Sequence, residues 1–334
     1  MIETKELTKR YDEFTALDSL SIRVEKGQIL GFIGPNGAGK TTTIRILVGL
    51  LRPTSGSATI AGADCISDTR KIKRLVGYMP DEFGKYNNMR VSEYLDFFGA
   101  AYGIGRRKRR LRIEETLEIA GATYMKDLFV DALSRGMQQR VAIARTLMHD
   151  PEVMILDEPA NGLDPQARID MREMLLRLSD MGKTLIVTSH ILPELARVCD
   201  IVAMITKGRL RAFGTLDEIM RTVQQRRTFE IQLLETAQVS DVAAHVTQWM
   251  KDQQSESEVQ ESGTETMVRF TTKLNDRELS PLLAQLISKG QGISQFREVT
   301  TDLEDAFLTV ANETEPQTDT ALKDPTRPVE AKPA

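Results

Sequence analysis

Cysteine is nearly absent. Cys65 and Cys199 are the two in 334 residues, too few for a disulfide framework and without metal-ligand spacing. They read as the reduced thiols of a cytosolic protein. Long apolar runs are missing too: no stretch approaches the roughly 18 apolar residues of a membrane span. Met1-Ile2-Glu3-Thr4-Lys5 lacks the apolar core of a signal peptide. Neither sign of charge dominates, since 44 basic residues face 48 acidic ones, so no nucleic-acid partner is expected. A membrane role would have to come through a partner. What is present, 41% hydrophobic and 28% charged residues, suits a globular chain long enough for two domains.

Through residue 223, short β-type runs alternate with helical stretches, the pattern of an α/β domain. Val153-Met154-Ile155-Leu156 and Leu185-Ile186-Val187 are continuous apolar runs, as parallel strands covered on both faces require. Residues 91–147 turn to helical periodicity and read as a helical insertion. Ile201-Val202-Ala203-Met204-Ile205, Lys207-Gly208 and Arg209-Leu210-Arg211 predict a closing hairpin.

A second unit is expected over 226–312. Phe229, Ile231 and Leu233 alternate like a half-buried strand, and Val242, Val246, Trp249 and Met250 follow at helical spacing. Met267-Val268-Arg269-Phe270 and 293–299 read as strands on either side of a stripe of Leu279, Leu282, Leu283, Leu286 and Ile287. If 256–261 is also extended, the order is β-α-β-β-α-β, a small α+β domain of ferredoxin-like type. Thr301 and Glu304 would cap a last helix. Residues 313–334 carry Pro316, Pro325, Pro328 and Pro333 with few large apolar side chains, which predicts a disordered tail.

Gly34-Pro35-Asn36-Gly37-Ala38-Gly39-Lys40-Thr41 completes the pattern G-x-x-x-x-G-K-[ST] between an apolar run and a helical one. Glycines keep side chains clear, so successive backbone N–H groups can wrap a phosphate. A helix starting near Thr41 would point its positive end at the same spot. Lys40 would reach the β/γ-phosphates, Thr41 would offer a hydroxyl to Mg²⁺, and Thr42 would add a polar contact. The expected ligand is a nucleoside triphosphate. Further on, the 153–156 run ends in Asp157-Glu158-Pro159. A parallel strand delivers its last residues to the sheet's carboxyl edge, where ligands of such sheets bind. Asp157 is thereby expected to hold Mg²⁺, and Glu158 to polarise the water that attacks the γ-phosphate.

Three more segments complete a set. Leu133-Ser134-Arg135-Gly136-Met137-Gln138-Gln139-Arg140 precedes the carboxylate strand, Asn161-Gly162-Leu163-Asp164-Pro165 follows it, and Thr188-Ser189-His190 ends the next apolar run. In this order and spacing the five motifs resemble those of ATP-binding cassette (ABC) proteins, over residues 1–223. The resemblance implies a P-loop NTPase cassette, of α/β class, with a mixed, largely parallel sheet and a helical insertion. Its ligands would be ATP and Mg²⁺. Tyr11 would stack on adenine, and Gly34, Pro35, Asn36, Gly37, Ala38, Gly39, Lys40, Thr41 and Thr42 would hold the phosphates. Ser134 and Gly136 would contact the γ-phosphate of ATP held by another protomer. His190 would hydrogen-bond that phosphate, and Asp164 would bridge the two protomers' sites.

The resemblance further implies an ATPase subunit of exporter type, energising transport through a separate integral membrane permease. It would pair with a second nucleotide-binding subunit, as homodimer or heterodimer. Its place would be cytoplasmic, peripheral on the inner face of the cell membrane. The alternative is a soluble cassette ATPase acting on nucleic acid or ribosomes. Such proteins usually carry two cassettes or a long coiled-coil insertion, whereas this chain has one phosphate loop and no sustained heptads.

Several positions depart from the pattern. Asp81, in Tyr78-Met79-Pro80-Asp81-Glu82, stands where the family usually has a glutamine touching Mg²⁺ and the attacking water. Its carboxylate still offers oxygen to Mg²⁺ but adds negative charge beside the γ-phosphate. Arg135 and Met137 replace a glycine and a glutamine, and Asn161 replaces a serine. Two readings of Arg135 stand: added positive charge near a partner's phosphates, or a side chain in solvent. The run Arg106-Arg107-Lys108-Arg109-Arg110, with Arg112, is either a contact for anionic lipid headgroups or a solvated helix start. His149 and His245 read as structural.

Overall fold

A computed structural model describes residues 1–84, 86, 88–190, 195, 198–219, 227–255, 257, 259–262 and 266–299. The helix and tail expected beyond residue 300 lie outside the described residues. The chain divides into two compact units, one of which runs over Met1–Leu216; the other begins at Asp217. The boundary expected at 223–226 also falls outside the described residues.

The first unit is built on two sheets. β1 (Ile2–Tyr11), β2 (Phe14–Val24), β4 (Ser55–Ile60) and β5 (Ala63–Asp64) form an antiparallel sheet in the order β2-β1-β4-β5. β3 (Ile29–Ile33), β6 (Val76–Met79), β7 (Val153–Leu156), β8 (Thr184–Ser189) and β9 (Ile201–Thr206) form a parallel one. Every residue of β3, β7 and β8 is buried, as their unbroken apolar runs predict. β10 (Arg209–Gly214) closes this sheet antiparallel to β9, giving the order β10-β9-β3-β8-β7-β6. Lys207 and Gly208, at φ 50° and 78°, make the tight turn between them.

α1 (Lys40–Leu47) follows β3, α2 (Thr69–Leu75) precedes β6, and α6 (Pro165–Asp180) joins β7 to β8. The insertion consists of α3 (Val91–Ala101), α4 (Arg106–Ile119) and α5 (Arg135–Leu147). Tyr94 is fully buried there, and its hydroxyl accepts from Arg145 Nη1 at 2.9 Å. The basic run is divided by its helix. Arg109 forks onto Asp96 (2.6 and 3.0 Å) and Arg112 caps Leu147 O, while Arg106, Arg107, Lys108 and Arg110 are exposed.

The second unit contains β11 (Arg227–Leu233), α7 (Val239–Asp252), β12 (Val259–Ser262), β13 (Met267–Thr272), α8 (Asp276–Ser288) and β14 (Ile293–Val299). Its antiparallel sheet has the order β12-β13-β11-β14, so the first strand lies between the third and fourth. That is the ferredoxin-like arrangement. Phe229, Ile231, Val246, Trp249, Phe270, Leu282 and Leu286 pack its core. Ile287 is the exception within the expected stripe. It is 59% exposed, because the helix turns it past the buried face.

Candidate active site

Four neighbouring strands set the site. In the order β3-β8-β7-β6, their carboxyl ends deliver the phosphate loop, His190, the Asp157-Glu158 pair and Asp81 along one edge of the parallel sheet. Neighbouring strands are about 4.8 Å apart. Groups far apart in sequence thus become adjacent in space.

The phosphate loop is shaped by close approach. At Gly34 a Cβ would lie 2.3 Å from Ile205 O of β9, so only glycine fits. Gly39, at φ 110°, hands the loop to α1, and a Cβ there would meet Ala16 O and Leu17 Cδ2, both at 2.8 Å. Pro35, Asn36, Gly37 and Thr41 are exposed, Thr42 is half-buried, and Ala38 and Lys40 are buried. Lys40 Nζ donates to Gly34 O at 2.6 Å and lies 3.4 Å from Glu158 Oε1. Its ammonium group is therefore held within the loop's own curve.

Glu158 has φ 51°, a left-handed conformation that a β-unbranched side chain adopts at a cost and that its neighbours maintain. Its backbone N–H donates to Thr188 Oγ1 at 2.8 Å. The same hydroxyl donates to Asp157 Oδ1 at 2.7 Å. His190 Nδ1 sits 2.9 Å from Glu158 Oε2. Both oxygens of the Glu158 carboxylate thus face a partner, Lys40 on one side and His190 on the other. A cleft of about 240 Å³ opens beside Glu158 and His190, walled by Asn161, Met171 and Arg172 of the α6 side and not by the phosphate loop.

Asp157 is 5% exposed, and burial pushes its carboxyl above its ordinary value. The Thr188 hydrogen bond opposes this; the charges of Glu158 and Asp81 add to it, and Lys40 pulls weakly back. A site that loads negative charge onto a buried carboxylate favours a cation. The oxygens of Asp157 and the exposed Thr41 hydroxyl are the hard donors that Mg²⁺ takes, with water completing the shell. Among the described residues no cluster of three His, Cys, Asp or Glu would cage a metal by itself. The donor set therefore fits a cation shared with phosphate rather than a closed protein site.

Asp81, expected to contact the metal, has two protein partners as well. Its Oδ1 accepts from Arg135 Nη2 at 3.0 Å and from Asn161 Nδ2 at 3.3 Å. Arg135 is 44% exposed, as a side chain in solvent would be, and also has a protein partner. Ser134 caps α5, its hydroxyl accepting from Met137 N at 3.4 Å, and is exposed; Gly136 is half-buried. Asp164 caps α6 through Ala167 N at 2.9 Å. Tyr11 ends β1 in the antiparallel sheet, 45% exposed, with Lys9 Nζ 4.9 Å from its ring centre. His149 Nε2 meets Val76 O at 3.1 Å, a structural contact.

Thr188 is the site residue that its motif alone does not single out, since there it reads as a mere strand end. A hydroxyl directly after the apolar run Leu185-Ile186-Val187, two residues before His190, is the signal the sequence offers.

Comparison with known proteins places the chain. Residues 17–161 match the family described as "ABC transporter". The "Probable multidrug ABC transporter ATP-binding protein YbhF" of Escherichia coli (strain K12) is 40% identical over 222 residues, 66% of this chain. This chain spans 38% of the length of that relative. The "Bacitracin transport ATP-binding protein BcrA" of Bacillus licheniformis is 39% identical over 234 residues, 70% of this chain and 75% of that one. Among solved structures, the dimeric post-hydrolysis state of the ATP-binding cassette MJ0796, bound to ADP and Pi, has a TM-score of 0.58 and 25% identity. It covers 65% of this chain and 99% of its own.

Proposed function

The chain belongs to the family of ABC transporter ATP-binding proteins, and from that premise we propose that it binds and hydrolyses ATP to energise transport through a separate membrane-embedded permease. The observation that carries this reading is Glu158, whose carboxylate is held between Lys40 of the phosphate loop and His190 (3.4 and 2.9 Å). A carboxylate fixed there accepts the proton of a water attacking the terminal phosphate.

Each group has a part. Backbone N–H groups of residues 36–39 bind the phosphates beside Gly34 and Pro35, Lys40 and Thr42 add side-chain contacts, and Tyr11 stacks on adenine. Thr41, Asp157 and Asp81 would hold Mg²⁺, which would supply positive charge against the phosphates. His190 orients Glu158 and senses the γ-phosphate. Ser134 and Gly136, at the N-terminus of α5, close over the ATP of a second copy, where the helix dipole favours an anion. Asp164 bridges the two copies. The dimeric cassette bound to ADP and Pi supports this two-chain arrangement.

Closure of two copies around ATP, and their parting after hydrolysis, supplies the stroke. The insertion α3–α5 and the segment around Asp81 would hand it to the permease. Among the described residues no helix is long and apolar enough to cross a membrane, which suits a subunit held peripherally on the inner face. Action on nucleic acid or ribosomes finds no support in the relatives or in the charge balance. The test is size-exclusion chromatography of the purified chain with ATP and EDTA, alongside Lys40→Ala. ATP-dependent dimers of the native chain alone support the reading; dimers that form equally without ATP or with Lys40→Ala contradict it.

A further inference from the structure

Three segments far apart in sequence meet at one carboxylate. Asp81 lies just past β6, Arg135 is the first residue of α5, and Asn161 lies in the loop between β7 and α6. Arg135 Nη2 donates to Asp81 Oδ1 at 3.0 Å, Asn161 Nδ2 donates to the same oxygen at 3.3 Å, and Arg135 Nε donates to Asn161 O at 3.3 Å. The triangle is closed.

The Asp81 carboxylate makes an electrostatic problem that Arg135, 3.0 Å away, answers. A carboxylate at 81 joins Asp157 and Glu158, which follow the adjacent strand of the sheet. Three carboxylates would then stand at the sheet edge where a triphosphate binds, with Lys40 Nζ 3.4 Å from one of them. Arg135 restores one positive charge and draws the Asp81 carboxylate toward α5 and Asn161. Both side chains are more than two-fifths exposed (44% and 43%), so the ion pair adds little to folding stability. Its effect lies in where the charge sits.

We propose that Arg135 is a positioning residue for Asp81, cancelling its charge and holding it beside Asn161 so that a carboxylate can occupy this position without repelling the nucleotide. This rests on the ATP-site reading above. A consequence is that α5, the segment after β6 and the loop after β7 are linked within one chain. The link can carry the state of the phosphate site to α5 before any second copy arrives.

The experiment is a double-mutant cycle on the full chain, reading the affinity of a fluorescent ATP analogue in EDTA, where no metal masks the carboxylates. Arg135→Gln should weaken binding by about fivefold, because the Asp81 carboxylate it holds at 3.0 Å is released toward the phosphates. In an Asp81→Asn background the same substitution should change affinity by less than about twofold, because no carboxylate is left to be released. A Mg²⁺ titration of ATPase activity should follow suit, with Arg135→Gln shifting the half-maximal concentration in the native background only. Equal losses in both backgrounds, or no loss in the native one, would overturn the proposal. Lys40→Ala separates the two levels: if the analogue binds Lys40→Ala as well as the native chain, the ATP-site reading itself fails.

Discussion

His190 Nδ1 lies 2.9 Å from Glu158 Oε2, across the gap between the ends of β8 and β7. The contact leaves the other carboxylate oxygen toward Lys40. Removing the imidazole with His190→Ala should let the Glu158 side chain swing. Hydrolysis should fall between ~10- and ~100-fold, the loss expected when a reacting group is misplaced by about an ångström. ATP affinity should stay within about threefold, since the phosphate loop is untouched. Steady-state kinetics with a binding titration checks the split.

Thr188→Val keeps the shape and removes the hydroxyl that serves Glu158 N and Asp157 Oδ1. Two buried polar groups then lose a partner, which should cost about 1–3 kcal/mol in denaturant unfolding. The turnover should fall as well, because the left-handed backbone at Glu158 loses the acceptor that fixes it. A variant that loses stability while keeping full turnover would show that Thr188 serves packing alone.

Asp157 gives a dependence on pH. Its carboxyl is raised by burial first, then by Glu158 and Asp81. A carboxyl raised in the folded state contributes stability that is present below the ordinary carboxylate value and is lost as pH rises through the folded value. At neutral pH the metal-free chain therefore carries an unfavourable buried charge. Asp157→Asn should melt higher by on the order of 2–4 °C at pH 7.5, and the gap should narrow as pH is lowered toward 4. Calorimetry in EDTA measures it. A gap that is constant with pH would remove the electrostatic cause.

Two glycines of the phosphate loop should respond differently. A Cβ on Gly37 (φ 80°) would meet nothing within 4 Å, whereas one on Gly39 (φ 110°) would meet Ala16 O at 2.8 Å. Gly37→Ala should cost about 1 kcal/mol from backbone strain alone. Gly39→Ala should cost at least ~3 kcal/mol and abolish ATP binding, since the strand β2 must move to admit the methyl group. Chemical unfolding and the analogue titration separate the two.

How much of this is legible in the sequence follows from range. The phosphate loop, the Asp157-Glu158 strand end and the ferredoxin-like order rest on local spacing and on periods of 2 and 3.6, which a chain displays without folding. The β3-β8-β7-β6 order, which lines up Lys40, His190, Glu158 and Asp81, exists only in the assembled sheet. So does the Asp81–Arg135 contact, which joins positions 54 residues apart. Each is visible as an odd residue in its own motif; that one answers the other is not. Thr188 is hidden for another reason, since a threonine suits a buried strand whether or not its hydroxyl has a partner to serve.

The central claim is that Glu158 takes the proton in hydrolysis while the loop around Lys40 binds the nucleotide, and Glu158→Gln tests it most directly. The amide keeps the size of the side chain and its contact with His190 but gives up the base. ATP affinity should be retained and hydrolysis should drop by roughly 10²–10⁴-fold, with ATP-bound dimers accumulating. Hydrolysis by Glu158→Gln at the native rate would contradict the account.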